Sequence, residues 1–180
     1  MSKLAEERIS GDEVYRGDFI RLYRDRVRLP DGSESVREYV RHPGAVAIVA
    51  IDADGRVILE RQHRYPLGRE LVEIPAGKIE PDESHLETAK RELLEETGYL
   101  AGEWTRLGQV HNAVGYSDEA IELWLATGLD KREASLDEGE FLEVFSLPFA
   151  EALAMAADGR LSDVKTIIGL YWAAARRGRG

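Results

Sequence analysis

Apolar and polar residues alternate through much of the first forty positions, most clearly in the run Phe19–Leu29. Alternation with a period of two places one side chain in each pair on the same face, as in a half-buried strand. Pro30-Asp31-Gly32-Ser33 supplies a turn, and Ser35–Val40 returns as the second arm of a hairpin within a strand-like stretch, Val14–Val40. Residues 1–10 show no such pattern and read as a loose lead. His42-Pro43-Gly44 then punctuates the chain. The expected division is a small N-terminal β subdomain, residues 1–43, and a larger domain, residues 44–180.

Beyond that boundary the pattern changes. Ala45–Ile51 is apolar throughout, which suits a strand buried on both faces. Asp52-Ala53-Asp54-Gly55 turns the chain back into Val57–His63, and Leu71–Pro75 makes a further short strand. Over Ser84–Thr97 the period lengthens, with Leu86, Ala89, Leu93 and Thr97 recurring three or four residues apart. Ser84-His85-Leu86-Glu87 has the form of a capping box, and Gly98 is a natural helix terminator. Strands are expected at Trp104–His111, Ile121–Thr127 and Phe141–Ser146, and closing helices at Phe149–Ala157 and Asp163–Arg176. Hairpin turns outnumber helical crossovers. The pattern predicts an α/β (α+β) fold: a mixed sheet sandwiched between helices, with a small N-terminal antiparallel β subdomain. His63, His85 and His111 read as ordinary surface or core histidines, and Trp104, Trp124 and Trp172 as core or interface residues.

Composition narrows the function. The 180 residues carry a formal net charge of −10, which argues against a general nucleic-acid surface. The basic tail Arg176, Arg177, Arg179 is flanked by glycines and reads as a frayed end. No apolar run is long enough for a membrane span, and the charged start MSKLAEERIS does not resemble a secretory signal. With no cysteine, any metal must sit on oxygen or imidazole ligands, and a cytoplasmic location is the expectation. Neither a G-x-G-x-x-G nor a G-x-x-x-x-G-K-[ST] loop is present.

The chemistry concentrates in the central helix. Glu92, Glu95 and Glu96 stand at i, i+3 and i+4 and project within one narrow arc. Like charges at this spacing repel by about 0.2–0.5 kcal/mol per pair in an isolated helix. Taken alone, such a cluster reads as a solvated acidic face. The loop before it, Gly77-Lys78-Ile79-Glu80-Pro81-Asp82-Glu83, carries further acids, and converging carboxylates are what a hard divalent cation requires.

Gly77, five residues, Glu83, seven residues, Arg91-Glu92-Leu93, one residue, Glu95-Glu96, one residue and Gly98 reproduce the signature box of the Nudix hydrolases, which this chain resembles. Tyr99 departs from the aliphatic residue usual at the end of the box. The N-terminal β unit and the runs Arg37–Ala45, Glu73–Gly77 and Gly115–Glu119 further resemble the branch that hydrolyses ADP-ribose and other nucleoside diphosphate sugars. The resemblance implies Mg²⁺ or Mn²⁺ held by Glu92, Glu96 and the carbonyl of Ala76, with Glu140 an additional ligand. It implies for Glu95 a catalytic part, as a further ligand or a partner of the ligands. Glu83 and Arg91 would form an ion pair that holds the loop on the helix. The general base would come from a later loop, with Glu138 the candidate. Arg64 would contact substrate phosphate, and Glu38 and Arg41 the nucleobase and phosphate. In this branch the N-terminal unit often exchanges between subunits, so a homodimer is expected.

In ADP-ribose hydrolases a proline commonly lies some fifteen residues past the box, whereas His111-Asn112-Ala113-Val114-Gly115 has none. That departure bears on substrate identity; ADP-ribose is still the first expected substrate, with another nucleoside diphosphate sugar, GDP-mannose-like, as the alternative. A non-catalytic nucleotide-sugar sensor would be expected to lose the metal glutamates, which are all present.

Overall fold

β4 (Ala45–Ala50) is buried along its whole length, and its strict alternation of faces organises the larger part of the molecule. Ala45, Ala47 and Val49 point into one core with Leu123, Leu170 and Ala173, while Val46, Ile48 and Ala50 point into a second with Ala89 and Leu93. A strand covered on both faces has no position for a polar residue, which explains the unbroken apolar run. The computed structural model describes residues 2–134, 136, 139 and 141–178.

In chain order the elements are β1 (Glu7–Arg16), β2 (Arg21–Arg28), β3 (Glu34–Arg41), β4, β5 (Arg56–Arg64), β6 (Arg69–Glu73), β7 (Ala76–Lys78), α1 (His85–Thr97), β8 (Tyr99–His111), β9 (Ala120–Lys131), β10 (Leu142–Pro148), α2 (Phe149–Ala157) and α3 (Val164–Arg177). The chain forms two compact units, one running up to Gly44 and taking in His111–Ala120, the other made of Ala45–Val110 and the chain from Ile121 onward.

The larger unit holds two sheets, β7-β4-β9-β8 and β10-β5-β6. β4 pairs with β9 in parallel, from Ala45 opposite Ile121 to Ala50 opposite Ala126, and antiparallel with β7. α1 lies on one face of β4 through Ala89 and Leu93, and α3 on the other through Leu170 and Ala173. Gly169 of α3 lets the helix approach closely, since an added Cβ would stand 3.0 Å from Val49 and 3.1 Å from Ile74. This is the mixed sheet between helices that the residue pattern predicts. No helix among the described residues is long and apolar enough to cross a membrane.

The smaller unit is the antiparallel sheet β1-β2-β3. The loose lead expected over residues 1–10 is ordered instead from Glu7 into β1, with Glu7 opposite Arg28. β1 is mostly exposed and held by backbone pairing and by ion pairs such as Arg8–Asp25 at 2.8 Å, so it carries no hydrophobic alternation to detect. Asp25 is buried and also accepts from the Tyr39 hydroxyl at 3.1 Å. Gly11 stands directly over it, and any Cβ there would overlap the Asp25 carboxylate. The 111–120 segment adds to this unit through Val40, whose N–H donates to the Tyr116 carbonyl at 2.8 Å and whose carbonyl accepts from the Asp118 N–H at 3.2 Å.

Candidate active site

The helix that carries the glutamates is fixed at both ends by its own sequence. The Ser84 hydroxyl accepts from the Glu87 N–H at 3.3 Å, and the Glu87 carboxylate accepts from the Ser84 N–H at 3.1 Å, completing the capping box. At the other end Gly98 takes a left-handed conformation, φ 68°, and donates to the Leu94 carbonyl. Lys131 donates to the Thr97 carbonyl at 2.7 Å and lies over the Tyr99 ring at 4.2 Å. The tyrosine that departs from the box pattern is thus the platform for a cation at the negative end of the helix.

With Ala89 and Leu93 locked into the core, the glutamates of the last two turns meet β7. Glu96 is buried and accepts from the Ala76 N–H at 3.0 Å. The Glu92 carboxylate lies against the backbone of Gly77, where an added Cβ would come within 1.9 Å of it. Gly77 is therefore glycine because a carboxylate occupies the space a side chain would fill.

Arg91 ties the glutamates together. Its Nε and Nη2 donate to Glu83 at 3.1 and 3.0 Å, and its Nη1 donates to Glu92 and Glu95, both at 2.9 Å. Thr88 adds a third donor to Glu83 at 2.8 Å. The hydrogen bonds from Arg91 hold the Glu83 carboxyl below the usual carboxylate range, and Glu83 in turn raises the Arg91 guanidinium above its ordinary value. The ion pair expected between Glu83 and Arg91 is present, and the arginine also offsets part of the repulsion among the glutamates.

Among the described residues no three acidic or histidine side chains converge closely enough, as placed, to hold an ion. The donor set nevertheless fits a hard cation in kind. Glu92 and Glu96 offer carboxylate oxygens beside a backbone carbonyl, Ala76, on a strand that glycine leaves open at Gly77. Glu95 lies on the same face, bound to Arg91. Glu138 and Glu140 lie outside the described residues.

Arg64 makes a bidentate pair with Glu73, Nε to Oε1 at 2.7 Å and Nη2 to Oε2 at 2.9 Å. Lys165 also donates to Glu73, which is fully buried. In the smaller unit Arg41 lies over the stacked rings of Tyr23 and Tyr39, 5.0 Å from the first centroid. Glu38 is exposed and 3.6 Å from Arg24. It borders a cavity of about 300 Å³ shared with Tyr39, Val114, Tyr116 and Asp118. The sequence pattern does not reveal Glu73 and Lys165 as a pair. Glu73 directly follows Leu71-Val72, and Lys165 stands in the first turn of a helix whose next apolar residues are Ile167 and Ile168, and neither placement names the other residue.

A loop and helix that gather carboxylates against a glycine strand, inside a mixed sheet covered by helices, define the class. Residues 41–167 match the NUDIX domain and residues 6–40 the nucleoside diphosphate sugar hydrolase N-terminal domain. The chain belongs to the Nudix hydrolase family. It is 43% identical over 96% of its length to a methanol dehydrogenase activator of Bacillus methanolicus, covering 95% of that protein. It is 41% identical over 96% of its length to an ADP-ribose pyrophosphatase of Bacillus subtilis, covering 94% of it. The crystal structure of an ADP compounds hydrolase superposes with a TM-score of 0.87, covering 100% of this chain and 98% of that one at 23% identity, which establishes the shared fold.

Proposed function

We propose that this Nudix hydrolase cleaves the diphosphate linkage of a nucleoside diphosphate sugar, with ADP-ribose as its first substrate and AMP and ribose 5-phosphate as products. The observation that carries this reading is the complete glutamate box folded against β7, with Glu96 on Ala76 and Glu92 on Gly77. The near full-length similarity to an ADP-ribose pyrophosphatase supports the substrate class. In the reaction a water oxygen bonds to one phosphorus, the bridging P–O bond breaks, and the bridging oxygen leaves on the other phosphate. The water proton passes to a general base.

Glu92, Glu96 and the Ala76 carbonyl would hold Mg²⁺ or Mn²⁺, with Glu140 an additional ligand. The bound ion would supply charge neutralisation at the phosphates and a more acidic water. Glu138 would take the proton. Glu95 and Glu92, both bonded to Arg91, are oriented by it, so Arg91 sets which carboxylate edges face the reacting phosphates. Arg64 would bind a phosphate, and Glu38 and Arg41 would contact the nucleotide. The exposed apolar residues Ile9, Val14, Tyr15, Phe19 and Val36 support a homodimer built through residues 1–43, the N-terminal β subdomain, with residues 44–180 as the hydrolase domain. Light scattering should then give a particle of twice the 20.2 kDa chain, and a monomer would remove this part of the reading.

Ala113-Val114, where ADP-ribose hydrolases commonly carry a proline, favours a GDP-mannose-like sugar as the second reading. Product chromatography across ADP-ribose, UDP- and GDP-sugars, dinucleoside polyphosphates and oxidised nucleoside triphosphates, with Mg²⁺ or Mn²⁺, tests both. Turnover of ADP-ribose above the others is the expected result, and no turnover of any by folded, metal-loaded protein defeats the enzyme reading.

A further inference from the structure

Four charged side chains of alternating sign, Asp163, Lys165, Glu73 and Arg64, form a chain in the larger unit, with its most buried member, Glu73, next to its most exposed, Arg64. Asp163 caps α3, accepting from the Thr166 N–H at 2.9 Å, and lies 3.1 Å from the Lys165 ammonium. Lys165 donates to Glu73, and Glu73 takes the Arg64 fork. Side-chain exposure falls from 15% for Asp163 and 10% for Lys165 to 2% for Glu73, and is 38% for Arg64. Glu60, opposite Glu73 in the β5–β6 register and also buried, adds a second negative charge that attracts Arg64.

Such a chain is a poor device for stability alone. Removing several charges from water is costly, and well-packed apolar residues commonly replace buried ion pairs without loss. What the chain does achieve is orientation. Glu73 engages one edge of the Arg64 guanidinium with two parallel bonds, so the plane of the group is fixed. Among the described residues Nη1 makes no hydrogen bond, and it belongs to the one half-exposed member of the chain. The strand end that carries Glu73 is itself anchored: the Ile74 N–H donates to Thr166 Oγ1 at 2.9 Å and the Pro75 carbonyl accepts from the Ile48 N–H at 2.8 Å. One residue further on, the Ala76 N–H meets Glu96.

We propose that Glu73, with its charge partner Lys165, is a positioning residue that holds Arg64 with its outer edge presented to a substrate phosphate. The inference rests on the reading of Arg64 as a phosphate contact given under Proposed function, and adds the two residues behind it. Lys165 keeps Glu73 ionised and centred, so Arg64 is not drawn further inward to balance a lone buried carboxylate. Because β6 continues directly towards Ala76, the same anchor links the phosphate-binding arginine to the strand that meets the box glutamates.

The test is calorimetric binding of the non-hydrolysable α,β-methylene analogue of ADP-ribose to the full-length protein, compared among wild type, Glu73→Gln, Arg64→Lys and the double variant. Glu73→Gln keeps the shape and loses the charge. It is expected to weaken binding about tenfold, the scale of one misdirected charge-assisted contact. Arg64→Lys should weaken it at least as much, because an ammonium cannot make the fork. The double variant should bind like Arg64→Lys alone, since Glu73 acts only through Arg64. Wild-type binding by Glu73→Gln, or losses that add in the double variant, would overturn the proposal. Should Glu73→Gln fold poorly, Lys165→Met is measured in its place, since it removes the charge behind Glu73 and leaves the Arg64–Glu73 fork intact: a several-fold loss of affinity is expected, and wild-type affinity there also overturns the proposal. Wild-type turnover is measured in parallel. Binding that depends on Arg64 and Glu73 without turnover leaves this inference standing and removes the hydrolase reading, while turnover with indifferent variants does the reverse.

Discussion

The two units of the chain are stabilised in different ways. The larger unit buries Ile48, Leu59, Ile74, Leu93, Leu123 and Leu170 completely, in two cores to which β4 and β5 give alternate residues. In the smaller unit Val27 is the only apolar side chain that is buried among the described residues. Its strands are joined instead by cross-strand ion pairs, Arg8–Asp25, Arg26–Glu34 and Arg37–Glu6, and by the Tyr23–Tyr39 stack at 5.6 Å. A core of the first kind supports itself, whereas a thin sheet wet on both faces is marginal without a further surface to cover it. The difference teaches where precision is available. The glutamates, with their tight spacing, stand on elements locked by packing, and the sheet offers aromatic and charged side chains on a more adaptable frame.

The largest expected break in this comparison is chemical. Glu96→Gln keeps the Ala76 bond and loses a charge, and should lower kcat by about a hundredfold or more while substrate affinity changes little. Steady-state kinetics beside calorimetry checks it, and a loss of only a few-fold would remove Glu96 from the metal set. Next comes packing. Leu93→Ala should cost about 2–5 kcal/mol in denaturant unfolding, against about 1–2 kcal/mol for Val27→Ala. Equal costs would mean that the two units share one cooperative core.

A smaller effect is expected from pH. Burial pushes the Glu73 carboxyl up, but the bonds from Arg64 and the charge of Lys165 outweigh it and hold the group below its ordinary value. A carboxyl lowered on folding stabilises the protein above its unfolded pKa, about 4.3, and that contribution is lost as pH falls through the lower folded value. Acid unfolding followed by circular dichroism should therefore show less destabilisation below about pH 4 in Glu73→Gln, a less stable protein at neutral pH, than in wild type. Parallel curves would place the acid sensitivity elsewhere. The smallest effect belongs to the sheet: Tyr39→Leu removes the stack and one donor to Asp25, for about 0.5–1.5 kcal/mol. Thermal unfolding in low and high salt measures it, and the smaller unit should be the more salt-sensitive of the two.

Much of this was legible in the sequence. The α1 capping box, the Gly98 stop, the buried run of β4 and the box spacing all appear in the linear pattern and in the structure. The first part of β1, before Val14, was not legible, because its residues are mostly exposed and it is held by backbone pairing with β2 and by ion pairs rather than by an apolar face. The 111–120 segment gave no sign of belonging with the first forty residues, since two backbone bonds at Val40 and one from the His42 N–H to the Asp118 carboxylate make the connection across more than seventy positions.

By itself, then, the sequence determined what is written in short-range terms: helix caps, strand alternation, and a spacing of glutamates set by the pitch of one helix. Only the tertiary structure decided which groups those elements meet. Glu73 and Lys165 are 92 positions apart, and the parallel pairing of β4 with β9 joins residues more than seventy apart. Such meetings depend on how sheets and helices close around a core, because a buried charge declares its need for a partner without declaring where in the chain that partner stands. Glu92 and Glu96 could be read as a cluster from the helix period alone. That they lie on Gly77 and Ala76, and that Arg64 is held from behind by a buried glutamate, came from packing.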